Sequence, residues 1–195
     1  MNINPIILFF ASILTSNILL TNFLGMCSYI SISKDLKSSN GLGMAVTFVM
    51  TVTTVLNWFV YHYIIVPLNL EYLRYIIFII VIAAVVQVLE MLIDRLSPSL
   101  YMTLGIFLPL ITVNCAILGV TLFMQLRNYS LIQSLFYGLG SGMGWWLAIV
   151  LLAAIRKRTD NAPAPVGLKG TGLTFITIGI MAMAFIGFSG MIQVQ

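Results

Sequence analysis

The sequence predicts an all-α integral membrane protein whose six transmembrane helices form two inverted three-helix repeats. Composition gives the first indication: 61% of the 195 residues are hydrophobic and only 7% are charged. The mean hydropathy of +1.09 is far from that of a soluble domain. Run length gives the second. Crossing a hydrocarbon core about 30 Å thick takes about 20 helical residues, and nearly every stretch of that length here lacks charge. The third is a set of sequence echoes between the two halves of the chain.

Spans are expected at about 5–32, 43–65, 73–93, 101–124, 134–155 and 172–193, a single membrane domain over 1–195 with no room for a soluble one. Runs such as Ile76 to Val86 are apolar all round rather than alternating, so their backbone is satisfied in helices and not in barrel strands. The first run lacks a basic leading region and more spans follow it at once, so it reads as a retained helix and not a signal peptide. As one helix, Pro5 to Ile32 would measure about 42 Å, more than a membrane needs, which predicts a break or a strong tilt. Ser16-Asn17 and Thr21-Asn22-Phe23-Leu24-Gly25 are the places where it can open, and Cys27 follows directly.

Span two opens on Gly41-Leu42-Gly43-Met44 and closes on Tyr61-His62-Tyr63, where a lone histidine among aromatics reads as an interfacial residue. Span three carries Glu90 about one turn from its end. A carboxylate there is costly; it either faces an ion path or snorkels to the interface near Asp94 and Arg95. Span four is interrupted. Pro109 removes a backbone hydrogen bond, and Thr112 and Asn114 place polar groups beside Cys115. In span five the glycines from Gly138 to Gly144 suit close helix approach, and Trp145-Trp146 suit lipid contact and packing. Arg156-Lys157-Arg158 with Ala162-Pro163-Ala164-Pro165 then reads as a loop ahead of span six.

If the helices alternate, Lys34, Lys37, Arg95, Arg156, Lys157, Arg158 and Lys169 share one side, with only Arg74 and Arg127 on the other. The richer side is cytoplasmic, which puts both termini outside. The net charge of +4 thus reflects topology; no basic surface for nucleic acid is present. Gly41-Leu42-Gly43-Met44 is echoed at Gly138 to Met143, Leu73-Arg74 at Leu168-Lys169 and Cys27 at Cys115, at offsets of 97, 95 and 88 residues. Repeats of approximately 1–98 and 99–195, each with three spans, must enter the membrane from opposite sides.

Broken helices at matching positions of inverted halves meet near the midplane, which brings Cys27 and Cys115 toward each other. Three readings compete there. Free cysteines can be small buried hydrophobes; a disulfide needs suitable geometry and an oxidising setting; thiolate ligation of a metal would need two more ligands from another chain. Spacing alone does not select among them, because there is no CxxC.

The segments Asn22-Phe23-Leu24-Gly25-Met26-Cys27, Leu104-Gly105-Ile106-Phe107-Leu108-Pro109-Leu110-Ile111-Thr112-Val113-Asn114-Cys115 and Phe185-Ile186-Gly187-Phe188-Ser189-Gly190 resemble the family that contains the E subunit of the Na⁺-translocating NADH:quinone reductase (Nqr) and the A subunit of the Rnf complex. Between these two, Gly140 to Ala148 and Arg127-Asn128-Tyr129-Ser130 look more like the reductase protein, and Pro67-Leu68-Asn69-Leu70 more like the Rnf protein. The resemblance implies a multi-pass component of the bacterial inner membrane, within a redox-driven, ion-translocating NADH:ubiquinone oxidoreductase, without a complete active site of its own. It implies a homologous, oppositely oriented partner of the D type alongside the other Nqr or Rnf subunits. It also implies an intramembrane [2Fe–2S] cluster to which each of the pair gives two cysteines, here Cys27 and Cys115, for electron relay across the membrane. Asn22, Thr112 and Asn114 are then candidates to bond around the sulfurs, and Glu90 a candidate for the ion path. The rival class is a small inverted-repeat ion transporter.

Overall fold

The computed structural model describes residues 4–96, 108–159 and 170–189, and within them the chain is helical with no strand. Three short helices come first: α1 (Pro5–Ile13), α2 (Ile18–Asn22) and α3 (Met26–Ile32). They are followed by α4 (Leu36–Val60), which runs into a π-helical turn Tyr61–Ile65, and by α5 (Arg74–Leu96) after a 3-10 turn at Glu71–Leu73. Next are α6 (Leu108–Thr112), α7 (Cys115–Leu126), α8 (Leu131–Thr159) and α9 (Thr171–Ser189).

Among the described residues five stretches are long and apolar enough to cross a membrane: Leu36–Ile65, Glu71–Leu92, Pro109–Leu126, Leu131–Thr159 and Thr171–Phe188. The first region differs from a single interrupted span. It breaks twice, and its pieces of 9, 5 and 7 residues are each too short to cross alone. The five stretches overlap the expected second to sixth spans, with the fourth described only from Leu108 and the sixth only to Ser189. The stretch before Leu108 lies outside the described residues, as does the Ala162 to Pro165 segment.

Side chains replace backbone partners lost at two of the breaks, as an apolar surrounding demands. Asn17 caps α2 by accepting from the Leu19 amide at 3.1 Å, and Asn114 caps α7 by accepting from the Ala116 amide at 3.0 Å. At the second break of the first region the chain turns through two left-handed residues, Phe23 (φ 55°) and Gly25 (φ 83°). Among the described residues the fourth span is interrupted at Val113–Asn114; Pro109 is the second residue of α6, and the residues before Leu108 lie outside the described ones. An asparagine side chain can replace the partner that the first amides of a new helix lack, so Asn114 is where the span opens.

Helix α8 is the centre of the fold, packed between α4 and α1. Its glycines explain how. A Cβ on Gly138 or Gly142 would meet Thr54 or Thr47 of α4, and one on Gly140 or Gly144 would meet the Phe9 or Ile13 carbonyl of α1. Small residues thus bring α8 against two backbones at once, and close packing is the main attraction available where lipid already solvates apolar side chains. Arg156 corrects the expected loop boundary. It sits in the last turn of α8, buried, and donates to the Ile30 carbonyl at 3.0 Å and to Ser33 Oγ at 2.7 Å. Its cation occupies the negative C-terminal end of α3, which accounts for the burial of a charge in place of the exposed loop position.

Candidate metal centre

Both cysteines begin a helix that starts at a break. Cys115 is the first residue of α7 and Cys27 the second of α3. The two turns are tied together across the sequence. The Gly25 amide donates to Cys115 Sγ at 2.9 Å, and Asn114 Nδ2 donates to Ser28 Oγ at 3.2 Å. Ser28 in turn donates to the Gly25 carbonyl at 3.1 Å. Each cysteine thus has a neighbour bonded to the other cysteine's turn.

The thiols are free and exposed, while Gly25, Ser28, Asn114 and Ala116 around them are buried. Phe23 and Val113, at 50% and 74% exposure, flank them on the same outward-facing rim. Cys115 also lines a cleft of about 260 Å³ with Leu24, Arg74, Tyr75, Leu118 and Phe123. Gly25 has no room for a side chain: a Cβ would lie 2.7 Å from Trp145 Nε1 and 3.0 Å from both Ala116 Cβ and Asn114 Oδ1.

Among the described residues no cluster of three or more His, Cys, Asp or Glu could close a metal site. Two outward thiols beside a donating amide suit half of a Cys₄ iron–sulfur site and leave the other half to a second chain. The donor set fits: thiolates at a helix start are favoured by the dipole, and N–H groups aimed at sulfur are how such clusters are tuned.

The other expected residues are placed unevenly. Asn114 is buried between the cysteine turns as described. Thr112 is half-buried as the last residue of α6, two residues before the cap. Asn22 ends α2, exposed, and its side chain donates to Thr21 Oγ1 at 3.2 Å and not toward a thiol. Glu90 is half-buried on α5, an element apart from the cysteine turns. His62 stacks on Trp58 with ring centroids 4.0 Å apart, exposed near the end of span two as an interfacial residue should be. Of the lipid contact and packing expected of Trp145, the structure shows packing: it is wholly buried against Gly25. In the sequence Gly25 is legible only as a helix opening. Nothing local marks Ser28 or the burial of Trp145, since the fold supplies their neighbours.

A family model described as Rnf-Nqr subunit, membrane protein, matches residues 6–192. Relatives named as the E subunit of a Na(+)-translocating NADH-quinone reductase include that of Proteus mirabilis, 51% identical over 189 residues with 94% of this chain and 96% of the relative covered. That of Psychromonas ingrahamii is 50% identical over 193 residues at the same coverage, and that of Chlamydia trachomatis serovar L2 is 48% identical over 200 residues, covering 96% of this chain and 82% of the relative. With a match from end to end and relatives at about half identity, the chain belongs to the Rnf-Nqr family of membrane subunits, components of redox-driven, ion-translocating oxidoreductases.

Proposed function

We propose that this chain is the E subunit of a Na⁺-translocating NADH:quinone oxidoreductase, in which Cys27 and Cys115 supply two of four thiolates to an intramembrane [2Fe–2S] cluster shared with a homologous, oppositely oriented partner. Its role is to help carry electrons across the membrane between redox groups held by other subunits. The observation that carries this reading is the pair of exposed thiols whose turns are bonded to each other through Gly25–Cys115 and Asn114–Ser28. A [2Fe–2S] cluster on four thiolates supplies one-electron transfer. The residues of this chain do the rest. Cys27 and Cys115 would hold two positions, Ser28 and Asn114 lock the two turns, and Phe23 and Val113 offer an apolar rim that a partner can cover to exclude water.

The six-span inverted repeat belongs to the same reading. The pieces from α1 to α3 act together as the first span, and the pattern of a cysteine-bearing half-helix followed by a long helix occurs twice, at α3–α4 and α7–α8. With the basic residues cytoplasmic, both termini face the periplasm of the inner membrane. Glu90 stands as a candidate for the ion path. Iron and acid-labile sulfide should be measured on this chain purified alone and with its homologous partner. Two irons per pair and none on either chain alone is expected; an iron-free pair, or full loading of this chain alone, would overturn the shared site.

A further inference from the structure

We propose that Trp145 is a positioning residue for the Cys115 sulfur: its buried indole braces Gly25 so that the glycine amide stays aimed at Sγ, and this N–H···S bond raises the reduction potential of the group the cysteines hold. The inference rests on the cluster reading above and goes beyond it in naming what tunes the site. Three observations meet at one point. Gly25 is left-handed with φ 83°, a conformation that a glycine leaves as readily as it enters. Its amide is 2.9 Å from Cys115 Sγ. Trp145 Nε1 stands 2.7 Å from where a Gly25 Cβ would lie, so the ring fills the space into which the turn could relax.

Trp145 is also an uncommon tenant of that space. Among the described residues it is the largest fully buried side chain, yet its indole N–H has no hydrogen-bond partner there. A buried unpaired donor is costly and calls for a reason. A phenylalanine would avoid that cost but lacks the indole nitrogen that stands nearest Gly25. The indole nitrogen brings an N–H dipole close to the glycine turn, where a low-dielectric site strengthens its field. Because the reduced site carries one more negative charge than the oxidised one, donors near sulfur favour reduction. Trp146 next door is the natural contrast: it donates to Asn40 Oδ1 at 2.9 Å and lies against Gly43, away from the cysteine turns.

The test is an EPR-monitored redox titration of the assembled complex carrying Trp145→Phe or Trp146→Phe. The Trp145→Phe signal is expected at full intensity with its reduced-to-oxidised ratio at the native midpoint down by about tenfold, 59 mV for a one-electron couple; Trp146→Phe leaves the midpoint in place. An unshifted midpoint in Trp145→Phe, or an equal shift in Trp146→Phe, overturns the proposal. A second measurement needs no variant: the native complex labelled with [15N]glycine should show a 15N coupling to the reduced signal by pulsed EPR, and the absence of such a coupling overturns the proposal even if Trp145→Phe does not assemble. A native complex with no signal that depends on Cys27 and Cys115 would instead refute the cluster reading itself.

Discussion

Replacing Asn17 with Ala should cost about 2 kcal/mol, and the structure divides that sum into three parts. Asn17 is fully buried. Its Oδ1 accepts from the Leu19 amide at 3.1 Å, an N-cap whose loss is worth about 1 kcal/mol. Its Nδ2 donates to the Gly144 carbonyl at 2.9 Å and to the Ile13 carbonyl at 3.1 Å. The Gly144 bond joins the first break to α8, and interhelical hydrogen bonds in membrane proteins average about 0.6 kcal/mol. Leaving the Leu19 amide and the Ile13 carbonyl without partners in a dry site accounts for the remainder. Asn17→Ser should recover only the cap share, because a hydroxyl can reach Leu19 but not Gly144. The assay is equilibrium unfolding in mixed micelles across a range of SDS mole fraction, read by the fluorescence of the buried Trp145. A loss below about 0.5 kcal/mol for Asn17→Ala, the level of an ordinary surface change, would refute the assignment of Asn17 as the joint of the first break; so would Asn17→Ser matching Asn17→Ala.

Other predictions follow from packing and charge. Gly140→Ala places a Cβ 2.7 Å from the Phe9 carbonyl oxygen and should destabilise by about 1–3 kcal/mol as α1 is pushed off, whereas Gly179→Ala, with nothing within 4 Å, should be neutral or gain up to about 1 kcal/mol. Arg156→Met strips the Ile30 carbonyl and Ser33 Oγ of their cationic donor and should lower stability by about 1–3 kcal/mol in the same unfolding assay; the exposed Arg158→Ala should stay within about 0.5 kcal/mol. Asp35 caps α4 through the Ser38 amide at 3.0 Å, and that bond, with the Ser38 hydroxyl second, holds its carboxyl below the usual range. The cap's contribution is therefore complete above the ordinary carboxylate pKa and is lost as the pH falls through the lower folded value; Asp35→Asn keeps the cap and should remove this part of the acid dependence. Glu90→Gln should lower Na⁺-dependent turnover of the complex with the iron–sulfur signal intact, and an unchanged Na⁺ dependence would remove Glu90 from the ion path.

What the sequence makes legible is set by what a membrane demands of every residue. Charge-free runs of helical length place the spans, because burial in lipid acts on composition alone. The breaks at Asn17, Gly25 and Asn114 are legible for a related reason: opened backbone in an apolar medium needs a polar or glycine residue at the spot. Which device makes a break is less legible. In span four Asn114, and not its polar neighbour Thr112, caps the break between α6 and α7, and the first region opens twice because both its signals are used. Arg156 reads as loop because three consecutive basic residues are costly in a membrane; its partner, the end of α3, lies far away in sequence. Trp145 reads as suited to lipid contact or to packing, and the sequence does not choose between them. Its burial depends on the side chain that Gly25 lacks, a complementarity no local pattern records.

The central claim is that Cys27 and Cys115 together are half of one iron–sulfur site. Low-temperature EPR of the purified complex, comparing the native chain with Cys27→Ser and Cys115→Ser, tests it most directly. One [2Fe–2S] signal should vanish in both variants, with iron falling by the same two atoms per complex, as a four-thiolate [2Fe–2S] site requires, while the complex remains assembled. Retention of signal and iron in either assembled variant would contradict the account and leave that cysteine with a role in packing.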